Sequence, residues 1–246
     1  MTTAPLLVLC ALGPEVWALR GGDWTGSAGG PPVLVRTGMG RRRAALAVRG
    51  LLTAAPGGYG ALVVAGFGAA VAPGISPGDV IVANGVRDAE GNFFAIDSGP
   101  TLTEALQARG LTVHTGVHHT ADHVVRGLER TALHAQGALA VDMEAAGVLA
   151  LLQELRPAPP ATADGTPARG ILPAAVLRVV VDTPEHELLR PVTLPAGLRA
   201  WRTLRATVPA LVAWHRQTVP AATGRALAPP LVHPHPTSST LPQEAS

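Results

Sequence analysis

The sequence predicts a three-layer α/β domain, in which helices cover both faces of a central sheet. Short runs rich in Val, Leu and Ile recur along the chain, and several of them are apolar at successive residues. Such runs are typical of strands that are buried on both faces. The segments between them have the apolar period of an amphipathic helix. A chain of 246 residues, of which 47% are hydrophobic, is long enough to bury one large core.

The elements follow one another along the chain and predict a folded domain over residues 1–219. Strands are predicted at residues 5–12, 33–36, 61–65, 79–82, 138–141 and 176–181. Helices are predicted at residues 41–54, 101–109, 144–155 and 198–216. Residues 156–170 interrupt this pattern with Pro, Ala, Gly and Thr, which predicts a mobile surface insertion. Residues 220–246 are rich in Pro, Ala, Ser and Thr without an apolar period, as in a disordered tail.

Composition and charge disfavour several classes of protein. All 19 basic residues are arginines and most are scattered, while aromatic residues make up only 3%, so a nucleic-acid-binding protein is disfavoured. Cys10 is the only cysteine, which excludes an internal disulfide framework and agrees with a reducing compartment. The apolar run at residues 6–12 has no preceding basic region, and no apolar run is as long as a membrane span. We therefore expect a cytoplasmic protein without a membrane span.

Two polar features follow the first two predicted strands, where ligands bind in open α/β sheets. Glu15 comes after a Gly-Pro turn, and its carboxylate could hold a water molecule or, as is more common, cap the next helix. The turn Thr37-Gly38-Met39-Gly40-Arg41 has backbone N–H groups that could cradle an anion or approach a sugar. This turn could equally be a tight connection between a strand and a helix, with the arginines 41–43 in solvent.

The motif Val141-Asp142-Met143-Glu144 joins an apolar strand to a helix. An acidic residue in the first turn of a helix has a structural explanation, because the helix dipole stabilises it there. The motif also offers the carboxylate of Glu144 for sugar hydroxyls and the thioether of Met143 for contact with a ring. Both interpretations remain open at this point.

Asp182 ends an almost continuously apolar strand in the motif Arg178-Val-Val-Val-Asp182. Burial would favour the protonated form of this acid near neutral pH. A purine leaving group needs such an acid, because protonation of the base at N7 takes up the electrons of the breaking C–N bond. The alternative is an Asp that begins an Asx turn before Thr183 and Pro184.

These motifs resemble the superfamily of methylthioadenosine/S-adenosylhomocysteine nucleosidases and purine nucleoside phosphorylases, over about residues 6–219. The resemblance implies a three-layer α/β/α fold with a central mixed sheet. It also implies an enzyme that cleaves the N-glycosidic bond of a purine nucleoside, and a homodimer whose second subunit often closes the pocket.

The resemblance also implies a role for each matching residue. Glu15 corresponds to the carboxylate that activates water in the nucleosidases, and Asp182 corresponds to the acid that assists departure of the base. Glu144 would bind the sugar hydroxyls, beside Met143. The segment 121–125 corresponds to the base-lining residues, and segments 33–40 and 65–71 to glycine-rich walls. The implied substrate-binding residues are Glu144, Met143, Val124, Val125, Gly66, Phe67, Gly38 and Gly40.

The chain also departs from the patterns of this superfamily. Phosphorylases carry Arg-x-Gly-Ser for phosphate, but this chain has Val64-Ala65-Gly66-Phe67, so water is favoured over phosphate as the nucleophile. The glycine segment of the nucleosidases, Gly-Ser-Ala-Gly-Gly, is Gly66-Phe67-Gly68-Ala69-Ala70 here, and Val124 replaces a base-stacking Phe. Val181 replaces the Ser that commonly precedes the catalytic Asp, which removes one hydrogen bond from Asp182.

The tracts 123–130 and 181–188 resemble the hopanoid-associated branch, which implies removal of adenine from adenosylhopane. We therefore expect hydrolysis of an adenine nucleoside. Three alternatives stay open: a phosphate-dependent phosphorylase that uses the turn at residues 37–41, a methylthioadenosine/S-adenosylhomocysteine nucleosidase, and a non-catalytic nucleoside-binding protein.

We expect no cofactor and no metal ion. Four histidines lie close together in the sequence, but no His-Glu-x-x-His motif or Cys pair accompanies them, so a role in a loop or a wall is favoured. These are His114, His118, His119 and His123. Two further histidines, His233 and His235, lie in the predicted tail and make a weak site on their own.

Overall fold

The computed structural model describes residues 3–97, 99–155, 172–184 and 193–219. Its strands are β1 (Leu6–Cys10), β2 (Val33–Arg36), β3 (Ala61–Ala70), β4 (Val80–Asp88), β5 (Phe93–Ala95), β6 (Val113–Thr120), β7 (Ala138–Asp142) and β8 (Ala174–Asp182). Its helices are α1 (Gly13–Arg20), α2 (Arg41–Ala54), α3 (Gly99–Gln107), α4 (Leu128–Ala135), α5 (Ala145–Glu154), α6 (Thr193–Ala206) and α7 (Val208–Thr218). The predicted insertion at 156–170 and the predicted tail at 220–246 lie outside the described residues.

The strands form one mixed sheet that is partly closed on itself. The order is β2-β1-β3-β7-β6-β4-β5, and β8 pairs with both β3 and β4. Strand β8 is parallel to β3 and antiparallel to β4, so the strands β3, β7, β6, β4 and β8 form a closed ring. Closure gives every strand of this ring at least two neighbours.

Helices cover the sheet on two faces, as the sequence predicts. Successive residues of β1, such as Val8 and Leu9, belong to different core clusters because successive side chains of a strand point to opposite faces. One cluster packs against α1, α3, α6 and α7, and includes Trp214, which is fully buried. The other packs against α2 and α5. The three-layer arrangement with a mixed central sheet is therefore confirmed.

Several elements differ from the sequence-based prediction. Strand β3 continues to Ala70 and β4 continues to Asp88. No range is predicted for α1, the helix that Glu15 was expected to cap, and β5, β6 and α4 are not predicted. The single helix predicted at 198–216 is two helices, α6 and α7. The break falls at Thr207, whose hydroxyl donates to the carbonyl of Leu204 at 2.7 Å. Pro209 follows in the first turn of α7, and it has no backbone N–H with which to continue α6.

Within the described ranges, no helix is long and apolar enough to cross a membrane.

We predict that replacing Gly147 destabilises the fold, because α2 and α5 approach each other closely at this residue. A Cβ atom at Gly147 would lie 2.4 Å from the backbone oxygen of Arg41. The substitution Gly147→Ala should lower the free energy of unfolding in urea by about 1–3 kcal/mol, because backbone must move to relieve the clash. The control is Gly50→Ala in α2, where no atom lies within 4 Å of the added carbon. That change should raise stability by about 0.5–1 kcal/mol. Equal stability of the two variants would contradict this account.

Candidate active site

A pocket lies beside β3, β7 and β8, next to the residues that follow β1. It is lined by Ala11, Leu12, Glu15, Met39, Phe67, Gly68, Ala69, His123, Val124, Val125, Arg130, Val141, Asp142, Met143, Glu144, Val181 and Asp182. Both predicted catalytic residues, Glu15 and Asp182, belong to this lining. So do the predicted binding residues Glu144, Met143, Val124, Val125 and Phe67.

A buried arginine, Arg178 of β8, organises the acidic side of the pocket. Its Nε and Nη2 atoms donate to Asp142 Oδ2 at 3.2 and 2.9 Å, and Nη2 also donates to Glu144 Oε2 at 3.2 Å. Asp142 in turn accepts a hydrogen bond from the Thr120 hydroxyl at 2.7 Å. Burial opposes the charged form of Asp142, but Arg178 and His118 outweigh this effect and hold the pKa of Asp142 below its usual range. Asp142 is therefore the fixed counter-charge of Arg178.

Glu144 is held from two sides. Its Oε1 atom accepts the backbone N–H of Gly40 at 3.1 Å, while its Oε2 atom accepts from Arg178. Burial raises the pKa of Glu144 above its usual value, and Arg178 opposes this shift only in part. Gly40 has a φ of 100° and Gly38 a φ of 78°, values that favour glycine, so the turn depends on both residues.

Glu15 is 1% exposed and accepts two backbone hydrogen bonds of 2.7 Å. One comes from Leu12, at the start of α1, and the other comes from Phe67 of β3. Glu15 therefore caps α1, as one of the two interpretations predicts, and it also lines the pocket. Burial raises the pKa of Glu15, and Arg178 and the backbone N–H groups oppose this shift in part.

The predicted glycines support the site and are not among its lining residues. A Cβ atom at Gly66 would lie 2.4 Å from Glu15 Oε1 and 2.9 Å from Arg178 Nη1. Any larger residue would therefore displace these two side chains. Gly40 acts through its hydrogen bond to Glu144, and Gly38 belongs to the same turn. The pocket wall expected from Gly38, Gly40 and Gly66 is instead formed by Met39 and Phe67.

Asp182 lies in a buried ion pair with Arg130 of α4. Arg130 Nη1 donates to Asp182 Oδ1 at 3.3 Å and Nη2 donates to Oδ2 at 2.5 Å. The Nε atom of Arg130 donates to the carbonyl of Val125 at 3.2 Å. The sequence predicted a buried acid in an apolar setting, and this expectation missed the cation that packs against it.

Several of the residues that line the pocket with these acids are apolar. Val125 is buried, Val124 is 60% exposed, Met39 is 55% exposed and Leu12 is 37% exposed. Next to Val124, His123 is hydrogen-bonded to Asp122 at 2.7 Å and to Glu129 at 3.0 Å. These carboxylates raise the pKa of His123.

Among the described residues, no histidine other than His123 lines this pocket. His118 is fully buried in β6, and burial lowers its pKa to about 4, so the ring is neutral near pH 7. His114 pairs with Asp79 at 2.9 Å. In the part of the chain that the structure describes, no group of three His, Cys, Asp or Glu residues could hold a metal ion. His233 and His235 lie outside that part.

Sequence reasoning assigned no role to several residues that build the site. Arg178 stands in the Arg-x-x-x-Asp motif, and a charge inside an apolar strand was the signal that could have identified it. Asp142 stands in the same motif as Glu144 and ends a buried strand. Arg130 lies 52 residues from its partner, and no local pattern in the sequence indicates that pairing.

Comparison with known families agrees with this geometry. Residues 20–189 match the family model described as the phosphorylase superfamily, which is more than half of the chain. The chain belongs to the phosphorylase superfamily. This result confirms the superfamily that the sequence motifs resemble. A search of curated proteins gives no match to this sequence.

Solved structures share the fold of this phosphorylase superfamily member at low sequence identity. Futalosine hydrolase of Helicobacter pylori is 16% identical, with a TM-score of 0.65, over 85% of this chain and 97% of that chain. The 5′-methylthioadenosine/S-adenosyl homocysteine nucleosidase of Campylobacter jejuni is 14% identical, with a TM-score of 0.66, over 86% and 98%. An MTA/SAH nucleosidase of Streptococcus pneumoniae, in complex with 8-aminoadenine, is 23% identical, with a TM-score of 0.59, over 84% and 99%. These likenesses support the three-layer fold.

We predict that Glu15 makes stability depend on pH. A Glu whose pKa is raised in the folded state stabilises the fold below its unfolded pKa, and this contribution is lost as the pH rises through the folded pKa. We therefore expect the free energy of unfolding of the wild type, measured in urea, to decrease relative to that of Glu15→Gln as the pH is raised from about 4 to about 8. The amide of Gln can accept only one of the two backbone hydrogen bonds that Glu15 accepts. This loss lowers the stability of the variant equally at both pH values, so it does not affect the change with pH.

The control for this measurement is Glu154→Gln on the surface. Arg49 lowers the pKa of Glu154, so wild-type stability should rise slightly relative to this variant over the same pH range. A stability difference between wild type and Glu15→Gln that does not change with pH would contradict the burial of an acid with a raised pKa.

Proposed function

We propose that this chain hydrolyses the N-glycosidic bond of purine nucleosides, with adenine as the preferred base. Membership of the phosphorylase superfamily supports a reaction at this bond. The proposal also rests on three carboxylates, those of Glu15, Glu144 and Asp182, which line one pocket. Each is held by a different set of partners, which suits three separate roles.

The position of the Glu15 carboxylate supports water, and not phosphate, as the nucleophile. It already accepts the N–H groups of Leu12 and Phe67, which are backbone donors that a bound anion would need. A phosphate placed beside it would meet a like charge and fewer free donors. A water molecule carries no charge that Glu15 would repel, and it does not need these backbone donors. The raised pKa of Glu15 also suits a group that takes a proton from water near neutral pH.

The proposed reaction uses the three acids in a balanced set of transfers. The water oxygen attacks C1′ of the ribose and gives a proton to Glu15, while the electron pair of the C1′–N9 bond passes into the base. Asp182 gives a proton to N7 of the departing base. Glu144, which Arg178 and Gly40 hold in place, accepts hydrogen bonds from the ribose hydroxyls.

The decisive experiment measures the products from adenosine with and without phosphate. We expect adenine and free ribose at a rate that does not depend on phosphate. Glu15→Gln should lower kcat by about 10²-fold or more, because the amide cannot take the proton from water. Glu154→Gln, on the far end of α5, should leave kcat unchanged. Ribose 1-phosphate would instead show a phosphorylase, and binding of adenosine without turnover would show a non-catalytic nucleoside-binding protein.

The finer proposal is that the substrate carries a bulky apolar 5′ group, as adenosylhopane does. The resemblance of tracts 123–130 and 181–188 to the hopanoid-associated branch supports it. So does the exposed apolar rim of the pocket, formed by Leu12, Met39 and Val124. Contact with this rim would contribute about 25 cal/mol per Å² of buried apolar surface. We also propose a cytoplasmic homodimer, on the resemblance to the superfamily.

The substrate proposal predicts that kcat/KM increases with the length of a 5′-alkyl group on adenosine. Val124→Ser should weaken this dependence, because it removes apolar surface from the rim. Leu46→Ser, an exposed position on α2, is the matched control and should leave the dependence intact. If S-adenosylhomocysteine is the best substrate and longer alkyl groups slow the reaction, a methylthioadenosine/S-adenosylhomocysteine nucleosidase replaces this proposal.

A further inference from the structure

A buried ion pair joins α4 to the end of β8 at the pocket. The side chains of Arg130 and Asp182 are 3% and 10% exposed, and both residues line the pocket. Two nitrogens of the guanidinium donate to the two oxygens of the carboxylate. Such bidentate pairing fixes the plane of the carboxylate as well as its position. The orientation of Asp182 therefore depends on a residue from another element of the fold.

The third nitrogen of the guanidinium holds the neighbouring wall of the pocket. Arg130 Nε donates to the backbone carbonyl of Val125 at 3.2 Å. Val125 is 3% exposed and lines the pocket beside Val124. One planar group thus connects the acid to the backbone of the segment that would line the base. Because the guanidinium is rigid, it fixes the spacing between these two parts of the pocket, which the single ammonium group of Lys cannot do.

We propose that Arg130 is the positioning residue for departure of the base, an inference that rests on the proposed function. Arg130 sets where the carboxyl group of Asp182 meets the purine and stabilises the charge that this group acquires. Because the ion pair holds Asp182 as a carboxylate, Asp182 first takes a proton from solvent. This proton then moves from the Asp182 oxygen to N7 as the C1′–N9 electron pair passes into the base. Asp182 returns to the carboxylate of the ion pair with Arg130, and solvent protonates it again after the base has left.

This role separates Arg130, which lines the pocket, from Arg178, which is buried behind two of its acids. Arg178 pairs with Asp142 and Glu144, on the side proposed to bind the sugar. Arg130 acts on the acid proposed for the base. Loss of Arg130 should therefore harm only reactions in which the leaving group needs a proton. A substrate with a leaving group that departs without a proton distinguishes this role from general support of the fold.

The test compares adenosine with p-nitrophenyl β-D-riboside, whose leaving group departs as a stable phenolate. Arg130→Met should lower kcat for adenosine by about 10²-fold with a smaller change in KM. Arg130→Lys keeps the charge without the fork and should recover about tenfold of that loss. Both variants should cleave the nitrophenyl riboside within about threefold of the wild-type rate. Arg109→Met, an exposed arginine after α3, is the control and should cleave both substrates at the wild-type rate.

A double variant, Arg130→Met with Asp182→Asn, tests whether Arg130 acts through Asp182. It also provides a measurement if Arg130→Met alone does not fold. Arg130→Met leaves the charge of Asp182 buried without a partner, which destabilises a fold strongly, whereas Arg130→Met with Asp182→Asn removes both charges. If Arg130 acts through Asp182, the double variant should be no slower on adenosine than Asp182→Asn alone. This comparison and the Arg130→Lys result remain decisive if Arg130→Met does not fold.

Equal losses on the two substrates would overturn the proposal, and so would losses that multiply in the double variant. Wild-type protein that cleaves adenosine, together with an Arg130→Lys variant of unchanged rate on it, would overturn the role of Arg130 and leave the proposed function in place. Wild-type protein that cleaves no purine nucleoside would overturn both.

Discussion

The site depends on the burial of one positive charge, that of Arg178. A buried guanidinium must be paired and hydrogen-bonded, so the fold has to bring acidic residues to the middle of β8. Asp142 and Glu144 come from the end of β7, and Glu15 comes from α1. Strand β3 runs beside β8 and carries glycines where the arginine lies: a Cβ atom at Gly68 would lie 2.9 Å from Arg178 Cβ, and one at Gly66 would lie 2.9 Å from Nη1. The glycine-rich sequence of β3 is therefore a consequence of this buried charge.

Arg178 cannot stabilise the charged forms of three acids equally, and the pKa values of these acids shift in different directions. Asp142 receives two hydrogen bonds from Arg178 and has a lowered pKa, so it stays charged and keeps the arginine in place. Glu15 and Glu144 have raised pKa values because burial outweighs their share of the arginine's charge. The acid that holds the scaffold is thus distinct from the acids that can exchange protons or accept hydrogen bonds from a substrate. This division lets protonation change at Glu15 without loss of the ion pair between Asp142 and Arg178.

The sequence predicts those parts of the fold whose residues carry their own signal. Helix α2 is predicted with its observed bounds, and the strands β1 and β8 are visible because burial on both faces makes them apolar at successive residues. Strand β6 was not predicted because its sequence contains many polar residues and has no apolar run. Some of these residues are nevertheless buried by the surrounding fold, such as the fully buried His118. The same limit applies to the site. Acids at strand ends could be predicted, but the pairing of Arg130 with Asp182 arises from topology, which brings α4 and the end of β8 together.

The separation of Arg178 from Asp182 follows from a single strand. Arg178 and Asp182 both belong to β8 and are four residues apart, which corresponds to about 13 Å at the rise of a β-strand. Strand β8 is paired with β3 along most of its length, with one register shift just before Asp182, so this separation is set by strand pairing and does not depend on a loop. The apolar rim, by contrast, comes from connections: Leu12 precedes α1, Met39 lies between β2 and α2, and Val124 lies between β6 and α4. Connections vary more readily than paired strands do. Asp182 is therefore placed by the sheet itself, and Glu15 and Glu144 are hydrogen-bonded to residues of the sheet. The surface that would select a 5′ group can change without moving these acids.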